Sequence, residues 1–177
     1  RLATDRPTTM VVAPAVAVTA SGEHAGFPGT LSIGTETLVE VLVELARSAD
    51  TFAGVVWVNA HGGNRAALDT AMVRLATEDR ATSELRCSFP GGDAHAGRTE
   101  TSVMLALAPD LVRLDRAEPG ATQPWPDLAA AILDGGIAAV SPSGILGDPT
   151  GASAAEGRDL LDDLVERLGA ELDRSVW

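Results

Sequence analysis

The run Gly54-Val55-Val56-Trp57-Val58-Asn59 passes directly into the turn Ala60-His61-Gly62-Gly63-Asn64 and then into a helical repeat of Leu68, Ala71, Met72 and Leu75. An apolar run this short and unbroken predicts a strand covered on both faces, and the 3.6-residue period after it predicts a helix. A strand handing over to a helix through a tight turn is the building unit of α/β folds. That pattern restricts the chain to a sheet with helices packed on it. Val11–Val18 predicts another buried strand, with Pro14 pointing to an edge or an irregularity. A helix is predicted from about Glu36 to Ala49, with Leu38, Val41, Leu42 and Leu45 on one face and Thr37 and Glu40 at capping-box spacing. Asn64 is placed to cap the helix that runs to about Glu78. Leu85–Phe89 predicts a shorter strand, Thr99–Leu107 a helix stopped by Pro109, and Pro126 the first turn of a helix over Leu128–Leu133. Gly135–Asp148 predicts strand and loop. Ser153 to about Arg174 predicts a long helix with Leu160, Leu161, Leu164 and Leu168 on one face. The expected fold is one three-layer α/β domain over residues 1–177, a mainly parallel sheet flanked by helices.

Composition narrows the partners. The 177 residues carry 25 acidic and 13 basic side chains, a formal net charge of −12, and every basic residue is Arg. No basic cluster exists, so nucleic acid and anionic membrane surfaces are excluded as expected partners. No apolar stretch approaches the ~18 residues of a membrane helix. The single Cys excludes an intramolecular disulfide and suits the cytoplasm, the expected location.

All three histidines lie in glycine-rich segments. His61 follows the clearest strand, and ligands of such sheets collect beyond the carboxyl ends of the strands. Imidazole there is a metal ligand or an acid–base group, while a hydrogen-bonded polar turn explains His61 equally well. Gly62 and Gly63 let the backbone approach a bound group. His95 and Glu100 form a second pair, in Gly92-Asp93-Ala94-His95-Ala96-Gly97-Arg98-Thr99-Glu100. Glu100 also suits the positive end of the helix it opens. Asp93 either orients His95 or makes an Asx-turn. Glu23-His24 is a weaker signal, with exposure as its default. Cys87 reads as a small, buried apolar residue rather than a nucleophile.

Taken together, Gly22-Glu23-His24-Ala25-Gly26-Phe27-Pro28-Gly29-Thr30-Leu31-Ser32, Asn59-Ala60-His61-Gly62-Gly63-Asn64, His95-Ala96-Gly97-Arg98-Thr99-Glu100-Thr101-Ser102 and Gly144-Ile145-Leu146-Gly147-Asp148-Pro149-Thr150-Gly151-Ala152-Ser153 resemble the creatininase family of metal-dependent amidohydrolases. The resemblance covers most of residues 11–165. It implies a divalent metal centre, zinc with a second ion such as iron or manganese, and hydrolysis of an amide. On the matching positions it makes His61 and Glu100 metal ligands and His95 the catalytic residue facing the substrate. His24, Gly62, Gly63 and Asp93 are the expected substrate-side residues. Within the family the overall likeness is to a peptidase that trims the modified carboxyl terminus of a precursor peptide. Hydrolysis of a cyclic amide or a formamide stays open, as does a non-catalytic remnant. A homo-oligomer is implied as well. The family's Glu-x-His loop and bridging Asp have no match in residues 1–10, so an N-terminal βα unit of ~30 residues or more is expected to be missing from this sequence. Ala94 stands where several relatives carry Trp, which leaves no ring there to stack on a substrate.

Overall fold

The structure, a computed structural model, describes residues 10–174. Its elements run α1 (Thr35–Ser48), β1 (Val55–Asn59), α2 (Arg65–Ala76), β2 (Thr82–Arg86), α3 (Arg98–Leu107), α4 (Trp125–Gly135) and α5 (Ala154–Arg174), with short 3₁₀ turns between them. The chain gathers into two compact units. One comprises Leu31–Ser88 with the segments up to Gly22 and from Val165 onward; the other comprises Glu23–Thr30 and Phe89–Leu164.

In the first unit β1 and β2 pair in parallel, Val55 opposite Thr82 and Asn59 opposite Arg86, with α2 as the crossover. Helix α1 lays Leu38, Val39, Leu42, Val43 and Ala46 against Ala67, Leu68, Ala71 and Leu75 of α2, and Val55 and Trp57 of β1 pack on the same cluster. Ala67 and Ala71 are fully buried, and small residues at a helix contact let the two backbones approach. Truncating a fully buried leucine such as Leu75 costs about 2–5 kcal/mol.

In the second unit Leu128, Ile132, Ile137 and Leu146 form the core, with Phe27, Ala121 and Val140 against it. Gly120 N–H donates to Gly147 O and Ala121 N–H to Ile145 O, both at 2.9 Å, and Leu146 N–H donates to His95 O at 2.8 Å. Three short extended segments thus lie side by side and fix where His95 stands. Ser102, fully buried on α3, donates to Glu156 and accepts Ser153 N–H, both at 3.0 Å. A Cβ on Gly157 would overlap the Ser102 carbonyl, so only glycine lets the start of α5 lie this close to α3.

Several expectations are corrected. Val11–Val18 forms no strand: Pro14 lacks a ladder donor, and Val11 and Val12 are 72% and 78% exposed. The second strand is Thr82–Arg86 rather than Leu85–Phe89, because Ser88 N–H turns back to Arg86 O and ends the pairing after Cys87 N–H meets Asn59 O. Gly135–Asp148 carries no strand, only a 3₁₀ turn and the isolated bridge from Leu146 to His95; Gly136, Gly144 and Gly147 have positive φ and break extension. Helix α1 begins at Thr35, so Thr37 lies inside the first turn and no capping box forms. Its buried stripe is turned, and Leu45 is exposed. Strand β1 is not covered throughout, since Val58 is exposed. Asn64 makes no side-chain cap on α2 and instead donates to Asn59 Oδ1.

Candidate active site

The expected site residues fall in both units. In the second, His95 is held by a rung of backbone hydrogen bonds to Leu146, with Ala94 N–H also donating to Leu146 O. The chain then turns at Ala96, whose φ of 52° is left-handed for a residue with a Cβ. That turn aims Ala96 N–H at Glu100 Oε2, 2.5 Å away, and His95 Nδ1 lies 3.3 Å from the same oxygen. One carboxylate oxygen therefore holds the turn and stands beside the imidazole.

His24 joins this cluster. Its ring centroid lies 4.7 Å from that of His95 with the planes tilted by 54°, and its Nε2 lies 3.7 Å from Glu23 Oε1. The carbonyl of His24 accepts Phe27 N–H and Thr30 Oγ1–H, both at 3.0 Å, which locks the Phe27-Pro28-Gly29-Thr30 turn beneath it. Sequence reasoning treated His24 as a weak signal because the ring contact joins segments far apart in the chain. Asp93 is spent on α3: its carboxylate accepts the N–H groups of Arg98 and Thr99. It caps α3 from upstream, a role outside the two that the sequence offered for it.

In the first unit His61 sits at the carboxyl end of β1. Its N–H donates to Asn59 Oδ1 at 3.1 Å, and its Nε2 lies 2.9 Å from Ala20 O and 3.4 Å from Ser21 Oγ. A carbonyl at that distance requires a proton on Nε2, so the neutral ring carries its lone pair on Nδ1. A Cβ on Gly62 would meet nothing within 4 Å, so no neighbour demands glycine there. Asn59, which sequence reasoning passed over, also donates to Glu84 Oε1 at 2.9 Å. A cavity of about 160 Å³ lined by Phe52, Asp79 and Arg80 opens at the amino ends of the same strands. That is the wrong end for a ligand site in a parallel sheet.

Imidazole and carboxylate are suitable donors for a divalent ion. Among the described residues, however, no group of three or more His, Cys, Asp or Glu side chains is placed to hold one. These groups alone do not form a metal centre. Cys87 is half-buried, and burial pushes its thiol up, which leaves it a poor nucleophile. Among the described residues no helix is long and apolar enough to cross a membrane.

The family model described as creatininase, creatinine amidohydrolase, matches residues 1–172. The chain belongs to the creatininase family. It is therefore a member of a family of metal-dependent amidohydrolases, as the ordered blocks around His24, His61, His95 and Gly144 imply. It is 50% identical over 165 residues to the mycofactocin precursor peptide peptidase of Mycolicibacterium smegmatis, covering 93% of this chain and 67% of that protein. To the protein of the same name from Mycobacterium tuberculosis it is 51% identical over 163 residues, covering 89% and 65%. The chain spans about two thirds of the length of these relatives. A putative creatinine amidohydrolase from Bacteroides fragilis shares the fold with TM-score 0.80 at 23% identity, over 98% of this chain and 75% of that one. A manganese form of creatininase matches with TM-score 0.65 at 26% identity, over 84% and 67%.

Proposed function

We propose that this creatininase-family chain is a metal-dependent peptidase that trims the carboxyl terminus of the mycofactocin precursor peptide. The observation that carries the reading is the identity of about half the residues with peptidases of that name, along nine tenths of the chain. In this reading the protein is cytoplasmic and homo-oligomeric, and it takes zinc with a second ion such as iron or manganese.

His61 and Glu100 are this chain's proposed metal ligands. Two ligands do not close a tetrahedral site, so further donors are required. His95 is the proposed catalytic residue. With Nδ1 against Glu100, the nitrogen left to exchange a proton with the scissile amide is Nε2. The carboxylate stabilises the imidazolium formed when that nitrogen takes up a proton, which is returned to the departing amine. His24, packed on the His95 ring, is a proposed substrate-side residue, and so, by their place in the matching motif, are Gly62 and Gly63. Asp93, the remaining proposed substrate-side residue, also caps α3.

The test is incubation of the purified protein with the modified precursor peptide, with creatinine and a formamide as controls, followed by mass spectrometry. Release of a carboxyl-terminal fragment is expected. Turnover of creatinine without cleavage of the peptide would shift the assignment to cyclic amides.

A further inference from the structure

Strand β2 reads Thr82-Ser83-Glu84-Leu85-Arg86, and the Glu84 side chain, at the centre of the paired strands, is only 5% exposed. A carboxylate in such a place is costly unless every lone pair has a donor, and an apolar residue is the default opposite Trp57. Both oxygens are served. Oε2 accepts Arg86 Nε–H at 2.7 Å, and Oε1 accepts Asn59 Nδ2–H at 2.9 Å.

The second bond decides how the Asn59 amide is turned. With Nδ2 toward Glu84, Oδ1 faces the far side, where it accepts His61 N–H at 3.1 Å and Asn64 Nδ2–H at 3.3 Å. Reversed, the amide would aim its N–H groups at the His61 N–H, a fixed donor, and its oxygen at a carboxylate. An acceptor at position 84 and the backbone N–H of His61, which can only donate, favour the same orientation from opposite sides of the amide.

We infer that Glu84 is a positioning residue for His61. It acts through Asn59, whose carbonyl oxygen pins the backbone of the His61 turn at the end of β1. The functional part of this inference rests on the reading that His61 takes part in the reaction.

The test compares Glu84→Gln, which keeps an acceptor for Asn59, with Glu84→Leu, which removes it, in the full-length protein. In folded Glu84→Leu, hydrogen exchange of the His61 amide by NMR should quicken by about tenfold or more. Its kcat should fall by roughly 10- to 100-fold at nearly constant KM. Glu84→Gln should stay close to the unaltered protein in both. If Glu84→Leu does not fold, Glu84→Thr, too short to reach Asn59 and suited to a strand, carries the same expectation. Unchanged exchange at His61 in the folded Leu or Thr variant would overturn the inference. Full turnover by His61→Ala would instead remove His61 from the reaction and leave the exchange result standing, so the two failures are separable.

Discussion

The Nδ1 of His95 and the Oε2 of Glu100 lie 3.3 Å apart across a single left-handed turn, and that oxygen also takes the Ala96 N–H. A carboxylate this close to Nδ1 leaves Nε2 as the ring nitrogen open to a substrate. It also means that Glu100 can bind a cation only while sharing its charge with the turn that presents it.

His95→Ala is expected to slow peptide hydrolysis ~100- to 10,000-fold, the usual contribution of a general acid–base group. Metal content, measured by elemental mass spectrometry, should be unchanged. Metal lost in step with activity would make His95 a ligand instead.

Glu100→Gln is expected to lower metal content and turnover together, because a neutral amide is a poorer ligand than a carboxylate. The amide oxygen can still accept Ala96 N–H, so stability should change by less than ~1 kcal/mol. Undiminished metal in this variant would end the assignment of Glu100 as a ligand.

Asp93→Ala removes the acceptor of two backbone N–H groups at the start of α3 and should cost about 1–2 kcal/mol in denaturant titration. Gly97→Ala should be at least as harmful, since its Cβ would overlap the Asp93 carboxylate. A neutral result for both would mean that α3 starts independently of this cap.

Glu78 receives hydrogen bonds from Arg47 Nε and Nη2, and these hold its carboxyl below the ordinary glutamate range. Its stabilising contribution is therefore complete above that ordinary range and is lost as pH falls through the lower, folded-state value. Acidification should lower the thermal midpoint of the unaltered protein more than that of Glu78→Gln. The difference should shrink in high salt, because the pair faces solvent. Parallel pH profiles for the two proteins would show that the pair adds nothing.

Cys87 should alkylate more slowly with iodoacetamide at mildly alkaline pH than a free cysteine, because burial raises its thiol and leaves less thiolate. Mass spectrometry follows the single site directly, since the chain has one Cys. Cys87→Ala should retain activity. Rapid labelling, or loss of turnover in the alanine variant, would make Cys87 a reactive group after all.

The β1–turn–α2 unit was legible because each of its parts announces itself locally: an apolar run, two glycines and a helical period. Strand β2 was not. Thr82, Ser83 and Glu84 look like a polar approach to a strand, and they are extended because β1 lies beside them and Asn59 gives Glu84 a partner. No periodicity carries that information. The same limit hid His24, whose meaning comes from the ring of His95 packed on it. Asp93 was misjudged for another reason: a carboxylate in a glycine loop suits an Asx-turn or a histidine partner by its neighbours in sequence, and nothing local shows that its acceptors reach the first N–H groups of α3. Val11–Val18 failed in the opposite way, since its valines satisfy the pattern of a strand while most of that surface stays in water.

Ala96 carries a consequence for anyone seeking a hardier form of this protein. An alanine held at a φ of 52° gives up roughly 1–2 kcal/mol that glycine would not. Selection for heat tolerance therefore pulls toward glycine at position 96. The same exchange lets the peptide swing, and with it the N–H that seats Glu100. Thermal endurance and rate of turnover draw on one backbone angle, and an enzyme improved in the first is expected to have surrendered some of the second.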